Sequence, residues 1–248
     1  MPKLWGVLLG LCLSVGPVVM GASYEVPITL PAYDKADQVI RMPEDWATIN
    51  DSDKRIFVVE PGDYRSVGRI TLTASGTAVT PRYLILKSAT EDHATHASQF
   101  PEAEQAVISS LEIEGADFWI VDRISIVDTP VYTSPVLIHS AATDNILNRM
   151  RIQNIAYASF IRHGCHRNVI QNSLIGGQRQ ELYNGRWVYM ERVALGLSQS
   201  GSDEHPVRIE DTVFVNNEIY NMTDGIQLTA LRLDDPGYVY RCFRAAEQ

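Results

Sequence analysis

From about residue 55 onward, no stretch of the chain keeps a helical period; short β-branched segments recur instead, each broken by Gly, Asn, Asp or Pro. Arg55-Ile-Phe-Val-Val59, Tyr83-Leu-Ile-Leu86 and Phe118-Trp-Ile-Val121 are examples. Runs of this length and composition are strands. Four segments also share one pattern: Val121-Asp-Arg-Ile-Ser-Ile126, Leu147-Asn-Arg-Met-Arg-Ile152, Ile170-Gln-Asn-Ser-Leu-Ile175 and Val215-Asn-Asn-Glu-Ile-Tyr220. Each reads apolar, polar, polar or basic, apolar, polar, apolar. A second strand family is offset from the first: Val136-Leu-Ile-His139, Phe160-Ile-Arg162, Ala194-Leu-Gly-Leu197 and Gly225-Ile-Gln-Leu228. With Ile138, Ile161, Leu195 and Ile226 as equivalents, the intervals are 23, 34 and 31 residues, which describes a coil near 23 with loops inserted in two later ones.

Two strand families repeating in phase describe a parallel β-solenoid, in which each coil buries its inward side chains against the coils above and below. No clear two-residue hairpin turn lies between the repeats, which argues against an antiparallel sandwich. Asn148, Asn172 and Asn217 suit the corners, because Asn tolerates the left-handed region and can hydrogen-bond along the stack. Pro43 to Ile49 reads as a short helix, with Pro and acids in its first turn, placed to cover the open apolar end of the stack. Glu60-Pro-Gly-Asp63 is a type II turn candidate. Residues 88 to 105 read as a solvated loop; His93 and His96 with flanking acids are an alternative metal pair. Beyond Leu228 only about one more coil's worth of chain follows without an obvious covering helix, so a truncated chain or a partner-covered end is expected.

Residues 1–22 read as a secretory signal peptide: Lys3, then an apolar run from Leu4 to Met20, then small residues at 21 to 23. An uncleaved membrane anchor is the alternative, but the run is near the short end for a span. The mature domain is then 23–248, secreted or periplasmic, with no stable membrane insertion after cleavage. The chain has 21 Lys+Arg against 30 Asp+Glu, so bulk charge excludes general nucleic-acid binding. Of 3 cysteines, Cys12 leaves with the signal, and Cys165 and Cys242 are too few for a disulfide scaffold. Neither CxxC nor HExxH occurs, which leaves no zinc motif.

A charge is not buried unpaired, so Arg162 points outward, and period two then sends Ile161 inward and Phe160 outward. The same register places His139, Arg162, Gly196 and Gln227 in one outward column, with Leu137, Phe160, Ala194 and Gly225 in the next. Polar, aromatic and very small side chains together suit a groove for an extended sugar chain; a solvated face with no ligand is the alternative. From Arg149 to Arg192 there are seven arginines and two acids, a local anion site candidate within an acidic chain. The insertion from Gly177 to Tyr189 adds Tyr183, Arg186, Trp187 and Tyr189, either overhanging the groove to stack on sugars or packing on the solenoid. Asp203 and Asp224 form a weaker carboxylate pair for glycoside hydrolysis.

The run Phe160-Ile-Arg-His-Gly-Cys-His-Arg-Asn-Val-Ile-Gln-Asn172, followed by Ile175-Gly-Gly177, resembles the central coil of polysaccharide lyases that include chondroitinase B and certain alginate lyases. Val59-Glu-Pro-Gly-Asp-Tyr64 and Thr80-Pro-Arg-Tyr-Leu-Ile-Leu-Lys87 are similar to that family's first coils. The resemblance implies a right-handed, single-stranded parallel β-helix acting on acidic polysaccharide by β-elimination. It also implies that Arg162 is the catalytic arginine, and that calcium is the cofactor in many members. The family's base is a lysine one coil before the arginine. That position aligns with Ala141 here, and no Lys follows Lys87. His139, one coil before Arg162, is the substitute base, since an imidazole titrates near neutral pH. Phe160, His163, Arg186, Trp187, Tyr189 and Gln227 are the candidate substrate-binding residues, with no protein metal ligand assigned. The competing reading is a noncatalytic polysaccharide-binding or cell-surface solenoid.

Overall fold

The computed structural model describes residues 25–87, 95–162, 164–177, 180–183, 186–189, 193–198, 209, 211–222 and 224–229. For 180–183, 186–189, 193–194, 197–198 and 224–229 it describes the backbone alone. The leader, His93, His163, Asp203 and Cys242 lie outside the described residues. Among the described residues no helix is long and apolar enough to cross a membrane.

Three parallel sheets wind around one core, so the chain is a parallel β-helix. Sheet 1 stacks Gln38–Ile40, Ile56–Val59, Arg82–Leu86, Trp119–Asp122, Ile146–Asn148, Val169–Gln171 and Val213–Val215. Sheet 2 stacks Gly62–Asp63, Ala106–Ile108, Ile124–Val127, Arg151–Gln153, Leu174–Gly176 and Glu218–Tyr220. Sheet 3 stacks Arg69–Leu72, Ser110–Glu114, Val136–His139, Ser159–Arg162, Val193–Ser198 and Asp224–Thr229. Among the described residues, each of the six windings, numbered from Ile56 onward, therefore contributes one strand to every sheet. Inward aliphatic side chains form continuous columns, for example Ile113, Ile138 and Ile161 in sheet 3.

The shared six-residue pattern is not one strand. It is the end of a sheet 1 strand, a corner and the start of a sheet 2 strand. The corner residues Arg123, Arg149, Asn172 and Asn216 all have positive φ, at 63, 51, 56 and 51°. Asn172 sits where the sequence placed a corner, but Asn148 and Asn217 lie one residue to either side. Their amides bond between windings instead: Asn148 Nδ2 donates to Asp122 Oδ1 at 2.7 Å, and Asn217 Nδ2 to the Ile170 carbonyl at 2.8 Å. The fourth repeat is Phe214 to Ile219, one residue earlier than its pattern suggested, because Ile170 pairs with Phe214 and Ile175 with Ile219.

Entering sheet 1, the amides of Asn145 and Asn168 stack in a buried ladder. Asn168 Oδ1 accepts from the Asn145 backbone N–H at 3.2 Å and from its Nδ2 at 3.0 Å, and Asn168 Nδ2 donates to the Ala142 carbonyl. Two of these partners are 23 residues apart, the coil length read from the sequence.

At the N-terminal end, Pro43–Thr48 is a 3₁₀ helix, with Trp46 buried against Tyr64. Asp45 Oδ2 accepts from the backbone N–H groups of Arg41 and Met42, which holds its carboxyl below the usual Asp range. The helix covers the stack with the help of Arg82. That guanidinium points inward between the Phe57 and Trp119 rings and donates to the carbonyls of Ile49 and Asp51.

Two expectations are corrected. Gly62 lies in a strand without positive φ, so Glu60 to Asp63 is not a type II turn; the Tyr64 ring passes 3.2 Å from where a Cβ on Gly62 would sit. The part of 88–105 that is described, 95–105, is packed: Ala97 and Phe100 are buried, and Arg151 donates to both their carbonyls at 3.0 and 2.8 Å. His96 caps a short 3₁₀ turn through its Nδ1. A further element was not foreseen. Residues 25–33 run along the outside of the corner between sheets 1 and 2. The Val26 backbone exchanges two hydrogen bonds with the Gln171 amide, and the Tyr33 hydroxyl donates to the Leu86 carbonyl.

Each buried polar group left without a partner costs about 1–3 kcal/mol. Asn168→Ala strands three ladder groups and is expected to lower urea-unfolding stability by about 2–4 kcal/mol. A second outcome concerns pH. Hydrogen bonds from Arg65 to Asp63 and from Arg167 to Asp144, and the backbone N–H groups on Asp45, hold all three carboxyls below the ordinary Asp value of 3.8. The unfolded chain therefore takes up protons first on acidification, so stability is full above about pH 4 and declines below it. Asp144→Asn is expected to flatten that decline in unfolding midpoints measured between neutral and acid pH.

Candidate functional site

The outward face of sheet 3 carries the candidate residues. Leu137 pairs with Phe160 and Ile138 with Ile161, and continuing this register sets His139 opposite Arg162 on neighbouring windings. His139 is half-buried and Arg162 exposed. The Arg162 guanidinium lies 6.0 Å from the centroid of the Phe160 ring, a cation–π distance, and Tyr157 meets that ring edge-on at 5.7 Å.

The next winding departs from the expected columns by two residues. Phe160 pairs with Gly196 and Arg162 with Ser198, while Gly196 pairs with Gln227. Gln227 thus belongs to the column of Leu137 and Phe160, not to that of His139 and Arg162. A slip of two keeps the same side chains outward, so the alternating pattern cannot detect it. Gly196 decides the register, because any Cβ there would overlap the Phe160 ring.

The insertion in the fifth winding is an antiparallel hairpin, Gln180–Tyr183 with Arg186–Tyr189, between its sheet 2 and sheet 3 strands. Trp187 stands opposite Leu182, and Tyr189 opposite Gln180. Asp224 lies in the last sheet 3 strand, opposite Val193.

Arg149, Arg151 and Arg167 of the arginine-rich stretch are engaged away from this face; Arg179, Arg192 and the Arg186 side chain lie outside the described residues. Arg149 grips the fully buried Asp122 carboxylate with two bonds, of 2.8 and 2.6 Å, at the corner between sheets 1 and 2. Arg123 Nε donates to the same Oδ2 that Arg149 Nη2 binds, at 2.7 Å. Arg151 holds the carbonyls of 97 and 100, and Arg167 pairs with Asp144 at 2.6 Å. These cations are structural, and among the described side chains of the stretch Arg162 is the one on the sheet 3 face.

Acids that sequence reasoning missed stand beside His139. Glu112 Oε1 lies 3.1 Å from His139 Nε2 and 3.2 Å from Arg69 Nη1, and its Oε2 accepts from Thr71 Oγ1 at 3.1 Å. Glu114, the direct register partner of His139, is exposed. The signal was present in Ser110-Leu-Glu-Ile-Glu114, whose two acids alternate with inward aliphatics. Ligand atoms of Glu112, Glu114 and His139 lie within 4.8 Å of one another. Calcium takes about six to eight oxygen ligands. Among the described residues this set supplies two carboxylates and a nitrogen, and Arg69 already neutralises Glu112, so it does not fit calcium.

Cys165 is buried beneath the turn that follows Arg162, and burial pushes its thiol up to about 11. It is not a nucleophile at neutral pH.

The architecture matches a solved structure, an alginate lyase from Paenibacillus sp. str. FPU-7, with a TM-score of 0.51 and 16% identity. The match covers 73% of this chain and 57% of the lyase chain, so the chain spans little more than half that enzyme's length. At this identity the likeness shows the fold alone. No protein-family model and no curated protein matches the chain.

Overpacking a tight site costs about 1–3 kcal/mol. Gly196→Ala is expected to lose that amount in chemical unfolding, and Phe160→Ala in the same chain to recover most of it. A double-mutant cycle measures the coupling between the two positions.

Proposed function

We propose that this chain is an exported, carbohydrate-active β-helix that cleaves uronate-containing polysaccharide by β-elimination. The observation that carries the reading is the juxtaposition of His139 and Arg162 on one outer wall, with Phe160 beside the arginine. The fold shared with an alginate lyase supports it, as do the motif around Arg162 and the leader-like first 22 residues.

The chemistry follows from the groups. A sugar ring stacks on Phe160, and Arg162 pairs with the uronate carboxylate, drawing off charge as the neighbouring carbon loses its proton. His139 takes that proton as general base. The bond to the 4-linked sugar breaks, a C4–C5 double bond forms, and the departing oxygen takes a proton from solvent water, the imidazolium returning its own proton to solvent. Arg162 can bind a planar carboxylate through two parallel bonds, which a lysine cannot.

The second reading is a binding solenoid without turnover. Glu112 and Glu114 favour it, because two acids beside His139 repel an anionic substrate, and no lysine occupies the base position. The two readings separate when alginate, chondroitin and pectin are incubated with the protein and followed by unsaturated-uronide absorbance. Elimination on one of them is expected. No absorbance on any, with retention on an immobilised polymer, would establish the binding solenoid.

Removing a general base costs about 10²–10⁴ in rate. His139→Ala is expected to lower kcat by that factor, and Arg162→Ala to lower kcat/KM at least as much, while Arg162→Lys restores a minor part. Unchanged activity in both alanine variants would move the centre elsewhere.

A further inference from the structure

The partners of His139 decide which of its nitrogens is available. Nε2 lies 3.1 Å from Glu112 Oε1, and Nδ1 lies 2.8 Å from Ser140 Oγ. An ionised carboxylate only accepts, whereas a hydroxyl can donate or accept. The neutral ring therefore carries its proton on Nε2 and presents the Nδ1 lone pair toward Ser140. Glu112 is held for this task from the windings on both sides: Arg69 and Thr71 in the first winding bond its oxygens, and His139 in the third completes its set. Its side chain is 13% exposed and that of His139 21%, so the pair is partly shielded from water.

We propose that Glu112 is a positioning residue that fixes His139 as the Nε2–H tautomer, making Nδ1 the atom that accepts the proton in the elimination. This rests on the lyase reading of the same site. Positive charge developing on the ring is stabilised by Glu112 at hydrogen-bond distance and by exposed Glu114. It is opposed by Arg162 on the next winding and by Arg69 behind Glu112. Ser140 follows the end of its strand in the left-handed region, φ 57°, as Gly115 does one winding earlier at 58°. Its backbone is therefore a feature of the corner, and its hydroxyl is free to rotate off Nδ1 when substrate arrives.

The test is long-range proton–nitrogen NMR on the full chain with ¹⁵N-labelled histidine, with His139 assigned from a His139→Gln spectrum. Above its titration the wild-type ring is expected as Nε2–H. Glu112→Gln is expected to lower the His139 pKa, shifting the protonation constant about tenfold, while Arg69→Gln raises it by leaving Glu112 less neutralised. The acid limb of kcat/KM should move with each shift. A wild-type Nδ1–H tautomer, or a titration that neither variant moves, overturns the proposal whatever the activity. An Nε2–H tautomer with both shifts, but no elimination on any uronate polymer, overturns instead the lyase reading and the proton-accepting role with it.

Discussion

A parallel helix of strands has to turn the chain at the same places in every winding without leaving backbone groups unpaired, and the rest of this structure depends on how that is done. Strands stack about 4.8 Å apart, so a corner that differs from its neighbour by one residue breaks the stack. Left-handed residues therefore align from winding to winding. Phe118, Asp144, Arg167 and Asp211 enter sheet 1; Arg123, Arg149, Asn172 and Asn216 leave it; Asp128, Asn154, Gly177 and Asn221 leave sheet 2. Few of these are glycine, so most carry a steric cost. Bonds made by neighbouring side chains offset it, among them the Asn145 and Asn168 ladder and the Asp122 carboxylate between two arginines.

Rigid corners make the flat faces usable. Because the windings cannot rotate about the axis, an outward side chain in one strand has a defined neighbour above and below. On sheet 3 this sets Arg69 and Thr71 under Glu112, His139 against Glu112, and Arg162 beyond His139. Residues from four windings, spread from 69 to 162 in the chain, thereby meet on one wall. Loops enter between strands without disturbing that order, as the hairpin ahead of Val193–Ser198 does.

The architecture was legible because inward aliphatic positions repeat wherever a winding repeats, and that signal survives loops of any length. The number of sheets was not, since a left-handed arginine at 123 or 149 is invisible to hydropathy and the pattern ran straight through the bend. Site parity was legible for the same reason as the core: alternation put His139, Phe160 and Arg162 outward. Partner identity was not, because a two-residue shift preserves alternation, and only the collision between Phe160 and a side chain at 196 selects the observed pairing. Glu112 was missed because its meaning depends on a residue 27 positions away. The arginine count could not show direction: charge summed along the chain takes no account of which corner each side chain faces, and Arg149, Arg151 and Arg167 are engaged at other corners.

That last point sets the electrostatics of the wall. Arg149, Arg151 and Arg167 are spent on Asp122, on carbonyls and on Asp144, so their charge does little at the sheet 3 face beyond about one Debye length. Arg69 is largely cancelled by Glu112. What an approaching carboxylate meets is Arg162, exposed and backed by an aromatic ring rather than by an acid. Such an arginine keeps most of its attraction for an anion, because among the described residues it has no acidic partner to give up. Glu114, two windings away in the same column, opposes an anion that slides past His139. The wall is therefore polarised along the helix axis, acidic at the His139 end and cationic at the Arg162 end.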